Sequence, residues 1–427
     1  MFRTLLLVLT VMAPPQLAHR LASPDAAVGN AAMESSPHER CLDARQPRAK
    51  SLRSTEGNRV FIERAKAVSA GKSILLMGYP TLVEDASRPQ DAAAGGVVYL
   101  GVRLVGSAAD VPIPVPERTG GYAVLRVAST PAGTIDALWR SDGPPDPLLS
   151  RDSLHSASWN GQSWSAPRTV PGFGLALSWS ALRVSQATRD ADGPWLRAAD
   201  KIVRWTTSGW QASSVADQAE LYFDVLSLGD GVNLLAYVAN ASPGANTVFL
   251  RRSTDHGKTW TVGQRVGPKS SAPAYEPHLV KLGTRRVALV WIDGAESLIG
   301  QTLRIALSPD AGRTWQMQPS YRLPHAARTL NVAGDRLGTI HAVVQLAADA
   351  TSSFTAPYHA VWRGAWSGHW LASQAATSFG AATVDAVGPS TVVFTWSEFE
   401  AQGQTSVPVT RLIISDAACF TRIRRTS

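Results

Sequence analysis

The chain of 427 residues contains little cysteine, little methionine and little charge. It has two cysteines and five methionines, and 17% of its residues are charged against 44% hydrophobic. This balance predicts a folded, soluble body and excludes a disordered chain. No apolar run reaches the 18 or more residues that a membrane-spanning helix requires, so we expect no transmembrane segment in the mature protein.

Several signatures of catalysis and metal binding are also missing. The sequence contains neither H-E-x-x-H nor G-x-S-x-G. Gly71-Lys72-Ser73 ends like a phosphate-binding loop, but Lys66 stands where the first glycine is required. The nine histidines form no ligand pair at helix or hairpin spacing, and we expect most of them at the surface or in loops. The sequence therefore predicts no metal site and no cofactor.

The first residues have the pattern of a secretory signal peptide. Arg3 precedes an apolar run from Leu5 to Ala13, and two prolines and small residues follow. A short buried helix is the alternative, but charged and proline-rich residues come directly after it. We assign a signal peptide to 1–23, an N-terminal segment to 24–58 and a single domain to 59–427. The protein is then exported, to the periplasm or out of the cell.

The net charge of +8 comes from 41 basic and 33 acidic residues. The basic residues are spread along the chain, as is typical of a solvated surface. An affinity for acidic glycans or an anionic cell surface is the alternative. No nucleic-acid-binding motif accompanies the charge, so we expect no nucleic acid partner.

Two segments share the pattern S-x-D-x-G-x-T-W. In each, the Ser hydroxyl and the Asp carboxylate can bond to the backbone of their own turn, and the Gly can adopt a positive φ. The Thr is expected to return the chain to a strand, and the Trp to bury its ring between sheets. The ten fixed positions are Ser253, Asp255, Gly257, Thr259, Trp260, Ser308, Asp310, Gly312, Thr314 and Trp315.

Related corners recur about every 50 residues, and each is preceded by a turn glycine and a short apolar run. About four short strands fit in each repeat. The sequence predicts an all-β fold of six or seven four-stranded units, and the spacing favours seven. The predicted corner residues are Trp164, Trp210, Trp260, Trp315, Trp370 and Phe420.

The two complete motifs resemble the Asp-box of the sialidase-type β-propellers. This resemblance implies a monomeric ring of blades, closed by pairing of the N-terminal and C-terminal segments. It also implies that the Asp-boxes are structural and lie on the outer rim, away from the central cavity. In a closed ring the chain ends meet, which suggests a disulfide between Cys41 and Cys419 in an exported protein. Two unpaired buried thiols are the alternative.

The resemblance extends to the sialidase catalytic set only in fragments. Arg64 aligns with the first arginine that holds a substrate carboxylate, but the Ile and Pro that follow it in the family are missing. Tyr275-Glu276-Pro277 resembles the segment that carries the catalytic Glu. At the later strand end, where the family has an arginine, this chain has Trp291. Plain structural roles are the alternatives, a strand-edge position for Arg64 and a strand start for Glu276.

The remaining catalytic candidates have no motif to support them. Asp85 or Asp91 can occupy the acid/base loop, and Arg328 and Tyr358 can stand for a later arginine and the nucleophile. The sequence therefore favours a non-enzymatic recognition or scaffold module of the cell envelope. It would bind a glycan or another envelope protein at one mouth of the ring. An exo-acting sialidase-type glycoside hydrolase is the alternative.

Overall fold

The computed structural model of the chain describes part of the sequence. The described residues are 49–53, 59–62, 65–70, 73–83, 99–105, 108–114, 122–129, 135–141, 153–160, 163–166, 168–169, 182–184, 195–198, 201–206, 209–214, 222–242, 245–267, 274–295, 299–347, 355–371, 378–387, 391–402 and 405–416. All of them belong to one compact unit, Pro37–Ser427. The predicted signal peptide and five predicted site residues lie outside the described residues: Cys41, Arg64, Asp85, Asp91 and Cys419. Predictions that rest on these residues stay predictions.

The described residues form β-strands and no helix. Two short strands come first: β1 (Lys50–Ser51) and β2 (Val60–Ile62). Four-stranded antiparallel groups follow in chain order. The first three groups are β3 (Lys66–Ala70), β4 (Ser73–Val83), β5 (Tyr99–Val105) and β6 (Ala108–Pro114); β7 (Tyr122–Ser129), β8 (Ile135–Ser141), β9 (Ser153–Trp159) and β10 (Arg168–Thr169); and β11 (Leu182–Val184), β12 (Trp195–Ala198), β13 (Lys201–Thr206) and β14 (Gly209–Ser214).

Later strands continue the same arrangement. The next groups are β15 (Phe223–Gly229), β16 (Val232–Ser242), β17 (Ala245–Ser253) and β18 (Gln264–Arg265); β19 (Ala274–Lys281), β20 (Val287–Ala295), β21 (Ile299–Ser308) and β22 (Gln316–Met317); β23 (Tyr321–Gly334), β24 (Ile340–Ala347), β25 (Thr355–Trp362) and β26 (Trp366–Trp370); and finally β27 (Ser378–Val387), β28 (Thr391–Gln402) and β29 (Thr405–Asp416). Short pairings of β21 with β23 and of β25 with β27 join the later groups into one larger sheet.

The N-terminal strand completes the last group. Lys50 pairs with Leu412 and Ser51 with Arg411, so β1 lies beside β29 as its fourth strand. The Leu52 amide continues this contact by donating to the Thr410 carbonyl at 2.7 Å. The two terminal segments thus pair, which the sequence predicted. The closed ring and the number of blades stay predictions at this point.

Apolar clusters fill the space between consecutive groups. One cluster joins the β15–β18 group to the β19–β22 group around Trp291, which is fully buried. A second continues from Val290 to Trp362, and a third from Val343 to Phe394 and Ile413. A fourth joins the last group to the first and includes Leu52 and Leu76. The second strands β20 and β24 are covered on both faces, so they are buried along their length without alternation.

The Asp-box segments connect third to fourth strands, β17 to β18 and β21 to β22. In the first box, the Ser253 hydroxyl donates to Asp255 at 2.8 Å and accepts from the Gly257 amide at 2.8 Å. Asp255 accepts from the Thr259 amide at 2.9 Å and from its hydroxyl at 2.6 Å. Ser308, Asp310, Gly312 and Thr314 form the same four bonds in the second box. Gly257 and Gly312 have φ of 77° and 81°.

The Asp-box threonines precede the return to a strand. Thr259 and Thr314 lie in the bend, and β18 and β22 begin two or more residues after them. Their hydroxyls complete the ring of bonds around the aspartate. The tryptophans that follow are partly buried, and Trp315 also donates from its indole to the Gly312 carbonyl at 3.2 Å.

Paired tryptophans mark three other corners between third and fourth strands. Trp159 and Trp164 bridge each other with ring centroids 5.4 Å apart. Trp205 pairs with Trp210 across β13 and β14. Trp362 pairs with Trp366, again at 5.4 Å between centroids. The predicted corner at Trp370 is therefore wrong, because Trp366–Trp370 is the strand β26 and the turn lies before it.

Candidate functional site

The two ends of the strands differ chemically in these sheets. In an antiparallel group the first strand starts, and the second strand ends, at the same end of the sheet. We call this end of the strands the entry edge. The Asp-boxes share the opposite edge with the turns between first and second strands. The His256 amide donates to the Gly231 carbonyl at 2.9 Å, and the Ala311 amide to the Arg285 carbonyl at 2.8 Å. The Asp-boxes therefore lie far along the strands from any site at the entry edge.

Among the described residues, polar side chains connect four of the first strands to the first strand of the next group; we call these contacts first-strand bridges. Asp224 on β15 accepts from the Leu279 amide on β19 at 2.8 Å. Asn331 on β23 accepts from the Val384 amide on β27 at 2.9 Å. Asp385 on β27 accepts from the Ala67 amide on β3 at 2.9 Å, which ties the last group to the first.

Glu276 forms the remaining bridge in this series. One carboxylate oxygen of Glu276 on β19 accepts a short hydrogen bond from the Leu330 amide on β23. The neighbouring His278 ring bonds the Leu330 carbonyl at 3.0 Å. Burial, reinforced by the positive charge of Lys66, lowers the pKa of His278 to about 4 despite that bond, so the ring is neutral at neutral pH.

The backbone at Glu276 is unusual in a way that serves this contact. Glu276 has φ of 47°, a left-handed value that costs energy for a residue with a Cβ. The ladder between β19 and β20 is irregular between Tyr275 and His278, so two residues bulge from the strand. The bulge directs the Glu276 carboxylate to the next first strand.

The other described catalytic candidates do not join Glu276. Tyr358 lies on the third strand β25, is buried, and shares a 2.6 Å hydrogen bond with Tyr321. Burial, together with the bond to Tyr321, raises the pKa of Tyr358, which disfavours a nucleophilic phenolate. Arg328 lies exposed on β23. Arg64, Asp85 and Asp91 lie outside the described residues.

A triad of tryptophan, acid and arginine occurs twice at the entry edge. In the β19–β22 group the Trp291 indole donates to Asp293 at 2.8 Å, and Arg304 Nε donates to the second Asp293 oxygen at 2.8 Å. In the last group Trp396 and Arg411 bond Glu398 in the same way, at 2.6 and 2.7 Å. In both copies the arginine lies directly across the ladder from the tryptophan.

The two triads differ in the residues that contact the arginine side chain in addition to the acid. Arg411 Nη1 donates to Ser51 on β1 at 2.6 Å and lies 3.8 Å from Glu400. Arg304 has Asp293 as its only hydrogen-bond or ion-pair partner among the described residues, and its side chain is 27% exposed. Arg304 thus has fewer contacts than Arg411 among the described residues, since the N-terminal strand engages Arg411, and the two side chains are 27% and 21% exposed.

Two tyrosines lie near the first strands of these groups. Tyr275 pairs with Ile292, whereas Arg304 pairs with Trp291, so the Tyr275 ring and the Arg304 triad lie on opposite faces of the sheet. Tyr222 precedes β15 and Tyr275 is the second residue of β19; their rings are perpendicular, with centroids 6.0 Å apart. Both are partly exposed. A Cβ at Gly294 would come within 3.1 Å of the Tyr275 ring, so the glycine makes room for it. Burial raises the pKa of Tyr275, which keeps its hydroxyl protonated as a hydrogen-bond donor.

Burial also raises the pKa of Asp293, although Arg304 and Trp291 counteract the shift. The carboxylate is 5% exposed and both its oxygens accept hydrogen bonds, so it orients Arg304 and does not face a ligand. We use the name tyrosine–arginine site for Tyr222, Tyr275, Asp293 and Arg304, with the Tyr275 ring and the Arg304 guanidinium on opposite faces of the sheet. It offers two aromatic faces and one fixed cationic hydrogen-bond donor.

Sequence reasoning missed this site and most of the bridges. The pattern Trp-x-acid at Trp291 and again at Trp396 was a usable signal, since each acid falls on the same strand face as its tryptophan. No local pattern marks Asp224, Asn331 or Asp385. The bridges they form span more than 50 residues of sequence.

Within the described part of the chain, no group of three or more histidine, cysteine or acidic side chains is arranged to hold a metal ion. The described residues also include no helix long and apolar enough to cross a membrane.

No protein-family model and no curated protein matches the chain. Three solved structures illustrate the similarity of fold. A protein of unknown function from Dyadobacter fermentans is 12% identical over 87% of this chain and 99% of that chain, with a TM-score of 0.46. An α-L-arabinanase of Penicillium chrysogenum, complexed with arabinobiose, is 15% identical over 69% and 94%, with a TM-score of 0.38. The SapL1 lectin, in complex with α-methyl fucoside, is 14% identical over 73% and 96%, with a TM-score of 0.40. At these identities and scores the similarity does not extend to function.

Proposed function

We propose that the chain is an exported seven-bladed β-propeller that binds glycans at its entry edge and does not hydrolyse them. Seven blades are supported by the four-stranded grouping, with β1 supplying the last strand of the seventh group. A closed ring is supported by contacts of β27 with β3 and of β3 with β7, and by the bridge from Asp385 to Ala67.

The observation that carries the non-enzymatic assignment is the engagement of Glu276. A glutamate that activates a tyrosine must lie within hydrogen-bond reach of the phenol and must be able to take its proton. The Glu276 carboxylate instead accepts a hydrogen bond from the Leu330 backbone amide. The side chains of Asp224, Asn331 and Asp385 accept a backbone amide in the same way in the three other first-strand bridges. Tyr358, the candidate nucleophile, is buried on a third strand and bonds Tyr321.

Glycan binding is supported by the tyrosine–arginine site. Sugar rings stack on aromatic faces through their C–H groups, and their hydroxyls accept hydrogen bonds from a fixed donor. Tyr222 and Tyr275 supply perpendicular, partly exposed rings, and Arg304, on the other face of the sheet from Tyr275, supplies a separate donor held by Asp293, which Trp291 bonds in turn. Since Asp293 and Trp291 already fix the guanidinium, little side-chain entropy is lost when Arg304 binds.

Binding to a glycan panel, followed by calorimetry with the best ligand, tests this proposal. We expect Tyr275→Ala to weaken binding by at least about tenfold, because a stacking ring typically contributes more than 1 kcal/mol. The matched control is Tyr358→Phe, which removes a tyrosine hydroxyl on the third strand of the next group, where it bonds Tyr321, and should leave the affinity unchanged. Absence of binding to every glycan, or equal binding by Tyr275→Ala, would reject the proposed function.

A fluorogenic sialoside panel tests the competing hydrolase assignment. We expect no turnover by the wild-type protein. Glu276→Gln retains an acceptor for the Leu330 amide but cannot act as a base, so it is a variant that should still fold. Turnover by the wild type that is abolished in this variant would establish the sialidase-type hydrolase instead.

Export and the Cys41–Cys419 disulfide belong to the same proposal. Cleavage near Ala18 or Ser23 would be seen in the intact mass of the mature protein. The disulfide predicts that the native exported protein is not alkylated before reduction.

A further inference from the structure

A buried chain of three ionisable side chains lies between the β23–β26 group and the last group. Asp335, in the turn between β23 and β24, bonds His341 Nε2 at 3.2 Å, and His341 Nδ1 bonds His359 Nε2 at 3.2 Å. Both histidines are 0% exposed and Asp335 is 5% exposed. The two imidazole rings stack at 5.3 Å with an angle of 15°. This pair and His278 are thus exceptions to the expectation that most histidines lie at the surface or in loops.

The hydrogen bonds fix where the protons lie. Asp335 accepts the amides of Leu337 and Thr339 on one oxygen, and its other oxygen faces His341. An ionised Asp335 therefore accepts a hydrogen bond from His341 Nε2–H. His341 Nδ1 is then an acceptor, and His359 Nε2 carries the hydrogen between the rings. In this state the chain holds one negative charge and two neutral rings.

The surroundings tolerate little additional positive charge. Arg363, in the turn between β25 and β26, has all three guanidinium nitrogens buried without a hydrogen-bond partner among the described residues. Burial lowers the pKa of Arg363 to about 10, so it stays charged at neutral pH, with Asp335 as the opposing charge. The ring of His369 on β26 stands edge-on to His359 at 5.0 Å.

The facing strand of the next group places an aromatic ring against the two histidines. Phe394 on β28 contacts His359 at 4.6 Å and His341 at 6.5 Å between centroids, and both contacts are edge-on. The apolar cluster around it consists of residues such as Val343, Val361 and Val384. Among the described residues, the ionisable groups at this joint are thus Asp335, His341, His359, His369 and Arg363.

We infer that Asp335, His341 and His359 form an acid-sensitive latch that holds the β23–β26 group against the last group when the rings are neutral. A first added proton can be accommodated, because His341 then donates to both Asp335 and His359, and His359 moves its own proton to Nδ1. A second proton places two N–H groups face to face at 3.2 Å beside Arg363. The bond between the rings is then lost and the Phe394 contact loosens.

The direction of the pH effect follows from the burial of the rings. Burial, reinforced by Arg363 and opposed by Asp335, lowers the pKa of His341 below its usual 6.5. The unfolded or opened state therefore binds protons at a higher pH than the closed state. The stability of the latch is full above about pH 6.5 and falls as the pH decreases below that value.

Hydrogen exchange on the full-length protein at pH 7 and pH 5 tests the latch, after correction for the intrinsic pH dependence of exchange. The double variant His341→Gln/His359→Gln is the informative comparison, because each glutamine amide can donate and accept along the same chain without titrating. We expect opening at β24, β25 and β28 to increase about tenfold or more in the wild type and about twofold or less in the variant. His278→Gln, at the bridge to Leu330, is the matched control and should behave at these strands like the wild type.

A direct titration of the ring protons by NMR provides a second measurement that does not depend on the variant folding. The latch requires coupled titration of His341 and His359, with the second step at least about tenfold weaker in proton affinity than the first. Independent titration of both rings near pH 6.5 would overturn the proposal. Equal acceleration of exchange in the wild type and the double variant would also overturn it.

Discussion

Two kinds of corner connect third to fourth strands in this protein, and they hold similar turns with different chemistry. The Asp-box corners close through a ring of hydrogen bonds around Asp255 or Asp310. The tryptophan corners close through a cross-strand indole pair, as at Trp362 and Trp366. Gly312 in one kind and Gly364 in the other have φ of 81° and 86°. These two turns thus combine a left-handed glycine with a contact that closes the turn, and that contact is polar in one and apolar in the other.

The stability of the two kinds of corner therefore depends on different parts of the structure. The hydrogen bonds of an Asp-box lie within its own turn, which is partly exposed. Because a carboxylate accepts them, their strength depends on the ionisation of the aspartate. The tryptophan pair extends into the core between two groups, where Trp362 is 3% exposed and contacts the cluster that includes Tyr358. A four-stranded group can therefore have either kind of corner and keep the same arrangement of strands.

The largest expected effect is the loss of Trp362. Trp362→Ala removes a buried ring and leaves a cavity, so we expect a loss of about 3–5 kcal/mol in the free energy of unfolding. Trp315→Ala, at an Asp-box corner, removes a partly exposed ring and should cost about 2 kcal/mol. Urea denaturation followed by circular dichroism compares the two. An equal loss in both variants would contradict the distinction between the corners.

The turn glycines give a smaller and better matched comparison. Gly312→Ala would place a Cβ 2.4 Å from the Leu234 side chain in addition to the strained φ, whereas Gly364→Ala meets nothing within 4 Å. We expect losses of about 2–4 kcal/mol and about 1–2 kcal/mol respectively. The same denaturation experiment checks the order. If Gly364→Ala were the more damaging variant, backbone strain and not the contact with Leu234 would set the cost.

Much of the repeat could be predicted from sequence because its signals are local. A turn glycine, an apolar run and a hydroxyl–acid–glycine–tryptophan pattern each report on a few neighbouring residues. The prediction failed at Trp366–Trp370, where Gly368 resembled a turn glycine. A Cβ at Gly368 would lie 2.4 Å from the Tyr358 hydroxyl, so that glycine serves close packing between strands.

The candidate site was less accessible to sequence because its parts come from distant segments. Glu276 was selected for a family role, yet its partner Leu330 is 54 residues away and bonds through the backbone, which leaves no trace in residue type. Tyr222 meets Tyr275 only after two strand groups pack together. The buried histidines were missed for the same reason, since His341 and His359 become neighbours through the register of β24 and β25.

The smallest expected effect is the acid response of an Asp-box. Burial acts in the opposite direction, but hydrogen bonds from Thr314, Ser308 and Arg313 lower the pKa of Asp310 to about 2 from its usual 3.8. Folding therefore favours the ionised form, and the stabilisation is full above about pH 4 and lost as the pH falls toward 2. Asp310→Asn should cost about 1 kcal/mol at pH 7, and its difference from the wild type should shrink between pH 4 and pH 3. Gly364→Ala, at a turn without a carboxylate, should keep a constant difference over this range, and a constant difference for Asp310→Asn would show that the Asp-box does not act through its charge.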